Sequence, residues 1–80
     1  MKYVYLLESI NFPTETYIGL TDDLRKRLAA HNGGQALHTR KFKPWRLVTY
    51  IAFSDEEKAV SFERYLKSSS GRAFAKKRLR

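Results

Sequence analysis

The chain has 80 residues and no cysteine, so it must fold around a hydrophobic core without help from disulfides or thiolate metal sites. A chain this short buries only about 60–65% of its extended surface, which is too little to divide between two cores. We therefore expect one domain over residues 1–80. The hydrophobic fraction of 42% is typical of globular proteins and too high for a disordered chain.

Three apolar segments have the composition of β-strands. The first, KYVYLL at residues 2–7, is separated by the turn-rich residues 11–14 from a second, TYIG at residues 16–19, which predicts a hairpin with a long loop. The third, RLVTYIAF at residues 46–53, is the most apolar run of the chain, and we expect it to be the buried central strand. Together these segments predict a small three-stranded antiparallel sheet.

A first helix is predicted directly after the hairpin. Thr21 can cap a helix over residues 22–31, with Asp22 and Asp23 in its first turn. The sequence Asn-Gly-Gly at residues 32–34 marks its end. The basic residues that follow, up to the third strand, are expected to form a loop because they have no apolar periodicity.

A second helix is predicted after the third strand. Ser54 and Glu57 have the spacing of a capping box, and the serine-rich residues 68–71 end the helix. A short basic helix over residues 72–79 follows. The order of elements is β-β-α-β-α-α, so we expect an α+β fold in which helices flank the sheet. The predicted inner face of the second helix is formed by Ala59, Phe62 and Leu66.

The charge of the chain indicates a polyanionic partner. Sixteen Lys and Arg residues against eight Asp and Glu leave a net charge of +8, and the isoelectric point is about 10.1, which is typical of nucleic-acid-binding domains. The sequence has neither a signal peptide nor an apolar run of about 18 residues, so we expect a cytoplasmic protein without membrane contact that acts on DNA as a monomer or weak homodimer. The residues expected to contact phosphates are His38, Arg40, Lys41, Lys43, Arg72, Lys76, Lys77 and Arg78.

Two tyrosines, an arginine and a histidine are expected to meet in one place. Arg27 and His31 are four residues apart on the first predicted helix and project from the same side, while Tyr5 and Tyr17 lie on the strands of the hairpin. A tyrosine with an ordinary pKa of about 10 acts as a base at neutral pH only if cations lower that pKa or a second base takes its proton. Arg27 could do the first. His31, with an ordinary pKa of about 6.5, could do the second.

The triplets Tyr3-Val4-Tyr5 and Tyr17-Ile18-Gly19, with Arg27 ten residues after Tyr17 and Glu63 in a later helix, resemble the GIY-YIG nuclease domain. The resemblance covers nearly the whole chain. It implies a metal-dependent DNA endonuclease that hydrolyses phosphodiester bonds in one step, with Tyr5 and Tyr17 as the tyrosines of the two triplets. It further implies that Arg27 contacts the scissile phosphate and that His31 matches a histidine of restriction-type members. Glu63 would hold one Mg²⁺ or Mn²⁺ ion.

Two departures from the family pattern bear on this implied activity. Many members carry an asparagine beyond the second helix, and residues 75–78 contain none; Leu20 stands where some members have a lysine. We expect from these departures a weakened or partner-dependent activity. Because so small a domain has little surface for reading sequence, cutting is expected to be selective for DNA structure or weakly selective for sequence, as in repair or recombination.

Each of these residues also has a structural interpretation. The tyrosines of the first triplet could pack a sheet face, Arg27 could be a solvated helix charge, and Glu63 could pair with Lys67 at the favourable helical spacing. Trp45 is expected to anchor the third strand in the core. For the chain as a whole, the alternatives are a basic nucleic-acid-binding module without turnover and a structural domain whose charge is incidental.

Overall fold

The predicted order of elements is confirmed in a computed structural model, which describes residues 1–80. A three-stranded antiparallel sheet is combined with three helices, so the fold is α+β. None of the helices has the length and apolar composition that crossing a membrane requires. The elements are β1 (Lys2–Ser9), β2 (Thr16–Thr21), α1 (Leu24–Asn32), a 3-10 turn (Arg40–Phe42), β3 (Trp45–Phe53), α2 (Glu56–Lys67) and α3 (Ser69–Arg78).

The central strand is β1, because the strand order is β2-β1-β3. The prediction that the third apolar segment forms the centre is therefore wrong. Residues 4–7 of β1 are all buried, whereas β3 alternates and leaves Tyr50 51% exposed. Helices cover both faces of the sheet, so an edge strand can be as apolar as a central one. Hydrophobicity alone does not tell how many neighbours a strand has.

Each face of the sheet has its own hydrophobic cluster. On one face Val4 packs against α2 and α3, whose buried residues there include Ala59, Leu66 and Ala75. On the other face lie Tyr5, Leu7 and Trp45, with Leu24 and Leu28 of α1 packed against them. The molecule thus has three layers. Tyr5 of the first triplet points to the layer formed by α1.

Aspartates, and not the hydroxyl residues predicted, cap the first two helices. Asp23 caps α1 and accepts a hydrogen bond from a backbone N–H of the first turn, so the helix begins two residues later than predicted. The Thr21 hydroxyl instead accepts from the Asp23 N–H. In α2 the cap is Asp55, one residue after Ser54. Asp, Ser and Thr are all good caps, so adjacent candidates are not distinguished by composition.

The third helix is longer than predicted and starts close to the end of α2. Only Ser68 separates the two helices, and its hydroxyl accepts a hydrogen bond of 3.2 Å from the Gly71 N–H. Gly71 is buried, and a Cβ atom there would collide with the carbonyl oxygen of Tyr65. The prediction that residues 68–71 form a break between two helices is only partly right. Ser68 caps α3, and residues 69–71 belong to that helix. Ala75 is the side chain of α3 that enters the core.

The segment between α1 and β3 is held in place at its two ends. The side-chain amide of Asn32 accepts a hydrogen bond from the Trp45 N–H and donates one of 3.0 Å to the Trp45 carbonyl oxygen. Trp45 is 4% exposed, as expected of a core anchor, and its indole N–H donates a bond of 2.7 Å to the Thr39 carbonyl oxygen. This segment is therefore packed on the same side of the sheet as α1.

Candidate active site

Tyr5 reaches over its neighbouring strand because the residue opposite it has no side chain. Tyr5 pairs with Gly19 of β2 in the antiparallel register, and its side chain is nearly buried. A Cβ atom added to Gly19 would overlap the Tyr5 hydroxyl and the adjoining ring atoms. Glycine at this position therefore makes room for the Tyr5 phenol above β2.

The Tyr5 hydroxyl is bonded to both polar residues predicted on α1. It lies 2.9 Å from Nε2 of His31, and Nε of Arg27 donates to it over 3.3 Å. His31 is fully buried, an unusual position for an imidazole at a helix end. The structure thus brings three of the predicted site residues into one hydrogen-bonded cluster.

Tyr17 completes the cluster through ring contacts. Its ring centroid lies 4.9 Å from that of His31 and 6.2 Å from that of Tyr5. Tyr17 is half-buried, at the start of the edge strand β2. Tyr3, which shares the sheet face of Tyr5, packs edge-on against Tyr50 at 5.9 Å and takes no part in the cluster.

A buried threonine, which was not predicted from the sequence, holds the His31 imidazole through its second ring nitrogen. The Thr39 Oγ1 lies 2.6 Å from Nδ1 of His31, and Thr39 is 1% exposed. The same hydroxyl has the Ala36 carbonyl oxygen as an acceptor at 3.5 Å. If Thr39 donates to Ala36, it accepts from the Nδ1–H of His31, which leaves Nε2 free to accept the Tyr5 proton. No sequence pattern in the loop pointed to this residue.

The pKa shifts in the cluster favour one of the two routes considered for the phenol. The hydrogen bond from Arg27 lowers the pKa of Tyr5, as expected, but burial outweighs it, so the pKa of Tyr5 is raised above its ordinary value. The pKa of His31 is lowered, first by burial and then by the charge of Arg27. The hydrogen bond to Tyr5 raises the pKa of Arg27. At neutral pH the cluster therefore pairs a protonated phenol with a neutral imidazole.

Glu63 lies on α2, which packs against the other face of the sheet. Its negative charge is close enough to Tyr5 to add to the rise in the Tyr5 pKa. The side chain is 17% exposed and forms an ion pair of 2.8 Å with Lys67, the partner that the helical spacing had suggested. No group of three or more His, Asp or Glu side chains has metal-binding geometry. A site with so few protein ligands suits Mg²⁺ better than a metal that needs a full set of side chains, because Mg²⁺ keeps several waters and binds substrate phosphates.

The predicted phosphate-contacting residues fall on two sides of the sheet. One set lies in the segment packed beside α1, where residues 40–42 form the 3-10 turn and His38 is exposed. The other set lies on α3, behind the opposite face. Where the family asparagine was expected, α3 has the buried Ala75 followed by the exposed Lys76.

The chain is similar to several known proteins. The family model described as the GIY-YIG catalytic domain matches residues 1–78. A UPF0213 protein of Streptococcus pyogenes is 40% identical over 72 residues, covering 89% of this chain and 76% of that protein. The structure-specific endonuclease subunit SLX1 of Candida dubliniensis is 41% identical over 70 residues, which cover 79% of this chain and 24% of that protein. A solution structure of a UPF0213 protein from Bacillus halodurans superimposes with a TM-score of 0.53 at 35% identity, covering 91% of this chain and 80% of the other.

Proposed function

The chain belongs to the GIY-YIG family, and on that premise we propose that it is a divalent-metal-dependent endonuclease that hydrolyses phosphodiester bonds in DNA. The observation that carries the proposal is the Tyr5 hydroxyl, bonded at once to a neutral imidazole and to a guanidinium. A phenol packed only for stability would need one hydrogen-bond partner. The Tyr5 phenol has both a proton acceptor and a cation beside it, and hydrolysis of a phosphate ester uses both kinds of group.

In the proposed reaction a water molecule attacks phosphorus in line with the departing 3′ oxygen. The water gives a proton to the Tyr5 oxygen while Tyr5 passes its own proton to Nε2 of His31, so the phenol is neutral before and after the step. The P–O bond to the attacking oxygen forms as the bond to the 3′ oxygen breaks. The departing 3′ oxygen takes a proton from solvent, and His31 returns its proton to solvent before the next cycle. Arg27 is placed to neutralise the charge that builds on the phosphoryl oxygens. Tyr17 contacts His31 and would help to hold its imidazole in position to accept the proton from Tyr5.

Glu63 is the residue that would hold one Mg²⁺ or Mn²⁺ ion. The ion, when bound, supplies Lewis-acid stabilisation of charge on the leaving oxygen. Water and the DNA phosphate would supply most of its coordination, because the chain has no cluster of three or more ligating side chains. Lys67, paired with Glu63, neutralises that carboxylate in the absence of DNA.

The substrate is proposed to be DNA of unusual structure, as in repair or recombination. The principal dimensions of the molecule are 30 × 26 × 17 Å, whereas specific protein–DNA interfaces bury about 1,000 Å² or more of protein surface. A single domain of this size cannot contact a long stretch of DNA sequence. The similarity to one relative, a structure-specific endonuclease subunit, supports this choice.

Cleavage of a panel of labelled DNAs tests the proposal. Linear, nicked, flapped and four-way branched DNA would be incubated with Mg²⁺, with Mn²⁺ and with chelator. We expect metal-dependent products from at least one branched form, and loss of these products with Arg27→Ala. Products that form equally well in chelator, or no products from any form, would contradict it.

A non-catalytic DNA-binding module is the second candidate, and the Glu63–Lys67 ion pair favours it because the pair already satisfies the carboxylate. Such a module would bind the same DNAs with strong salt dependence, with or without chelator, and would release no products. The two candidates therefore give opposite results in the panel.

The protonation of His31 should be visible in solution. Because burial and Arg27 lower its pKa, we expect the His31 ring signal in NMR to titrate with a midpoint below the ordinary value of about 6.5. His38→Gln would leave one histidine and so assign the signal. The unfolded chain would bind this proton first as the pH falls, so the free energy of unfolding should decrease below about pH 6.5. A midpoint at or above that value would contradict a neutral, proton-accepting imidazole.

A further inference from the structure

A basic groove begins at Tyr17, beside the proposed active site, and runs along α3. It has a volume of about 480 Å³ and lies between the start of β2 and the helix. Its lining includes the aliphatic side chains of Ile18 and Ala75, and Glu15 is the only carboxylate in it. The cations that line it are Lys67, Arg72, Lys76 and Arg80.

The cations of the groove form a row. Arg72 and Lys76 are one helical turn apart on α3, which places them about 6 Å from each other along the axis. Arg80 continues the series at the same sequence spacing, where its side chain is held by Glu8 and by the Pro13 carbonyl oxygen. At the other end, Lys67 stands beside Glu63. The row therefore leads away from the proposed metal ligand.

We propose that this groove holds the sugar–phosphate backbone of a single DNA strand that continues from the bond being cut. The inference rests on the proposed function and adds to it a second element of the substrate. Several cations beside aliphatic side chains suit phosphates and sugars. Strands held by their bases need aromatic platforms, and Tyr17 is the only aromatic residue in the lining. The volume is that of a small-ligand pocket, so the groove accepts part of one strand and excludes a duplex.

One consequence concerns the two neighbouring cations of α3. Lys77 and Arg78 lie on the same helix but do not line the groove. Replacing Arg72 and Lys76 by alanine, or Lys77 and Arg78 by alanine, removes the same charge from the same helix. The two double variants differ in the surface from which that charge is removed. All four side chains are exposed, so both double alanine variants should fold; circular dichroism checks this.

Binding at graded salt concentrations compares the two pairs. A fluorescent branched DNA with one unpaired arm would be titrated by anisotropy in chelator, so that no turnover occurs. Each phosphate contact to a single strand contributes about 0.7 to the slope of log affinity against log salt. We expect Arg72→Ala/Lys76→Ala to reduce the slope by about 1.4, twice that contribution, and Lys77→Ala/Arg78→Ala to reduce it by less than half as much.

Shortening the unpaired arm provides the second measurement. For the wild type, affinity should fall as the arm is trimmed away, whereas the Arg72/Lys76 variant should be insensitive to trimming. Equal slopes for the two variants, or the same dependence on arm length in the groove variant, would overturn the inference. Because these experiments need no cleavage, a chain that binds in this way but yields no products would refute the proposed function and leave the groove assignment standing.

Discussion

Glu63→Gln should reduce metal-dependent cleavage by about 10²-fold or more and leave DNA binding in place. Glutamine keeps the size of the side chain but removes the charge that attracts a divalent ion, and loss of one electrostatic contribution to a transition state commonly has an effect of about 10²–10³-fold. The fold should persist, because an ion pair at this helical spacing contributes only about 0.3–0.5 kcal/mol and Lys67 is half exposed. Single-turnover rates with Mg²⁺ measure the effect.

Glu57→Gln is the matched control, since it removes a carboxylate from the exposed first turn of the same helix. Its cleavage rate should equal that of the wild type. Binding of Mn²⁺ to the protein with uncleaved DNA, followed by electron paramagnetic resonance, gives a readout independent of catalysis. Wild-type rates and wild-type Mn²⁺ binding in the Glu63 variant would refute the assignment of the metal ligand.

Tyr5→Phe should have a comparably large effect on cleavage. The change removes the group that takes a proton from the attacking water, and a positioned general acid or base commonly contributes about 10²–10⁴-fold. It also leaves Nε2 of the buried His31 without its partner, at a cost of about 1–3 kcal/mol in the free energy of unfolding. Rates and thermal unfolding should be measured together, below the melting temperature of the variant.

Tyr3→Phe serves as its control, because Tyr3 has the same strand and sheet face as Tyr5 and packs by its ring against Tyr50. Only the variant at residue 5 should lose activity. If both variants cleaved at similar rates, the Tyr5 hydroxyl would have no role in proton transfer, and the cluster would be a structural network.

Much of the candidate site could be predicted from sequence because it depends on local geometry. The spacing of Arg27 and His31 fixes their shared side of a helix, and the hairpin brings Tyr5 and Tyr17 onto adjoining strands. These relations hold for any chain with those elements. What the local pattern could not give was the sign of the Tyr5 pKa shift, because burial by distant parts of the chain decides it.

The parts that sequence reasoning missed depend on contacts between distant residues. Thr39 lies in a loop without periodicity, and it becomes relevant only because Asn32 and Trp45 hold that loop against α1. The central position of β1 likewise depends on which strands pair. Helix starts were misplaced by one to three residues, since each candidate cap has an adjacent residue of equal preference.

The contact between Tyr5 and Gly19 has a consequence for how this sequence can diverge. The two triplets are twelve or more residues apart in the chain, yet the last residue of the second lies under the phenol of the first. A mutation that enlarges residue 19 would displace the Tyr5 ring from its present position. A descendant that loses this glycine would therefore also move the phenol that we propose as the base.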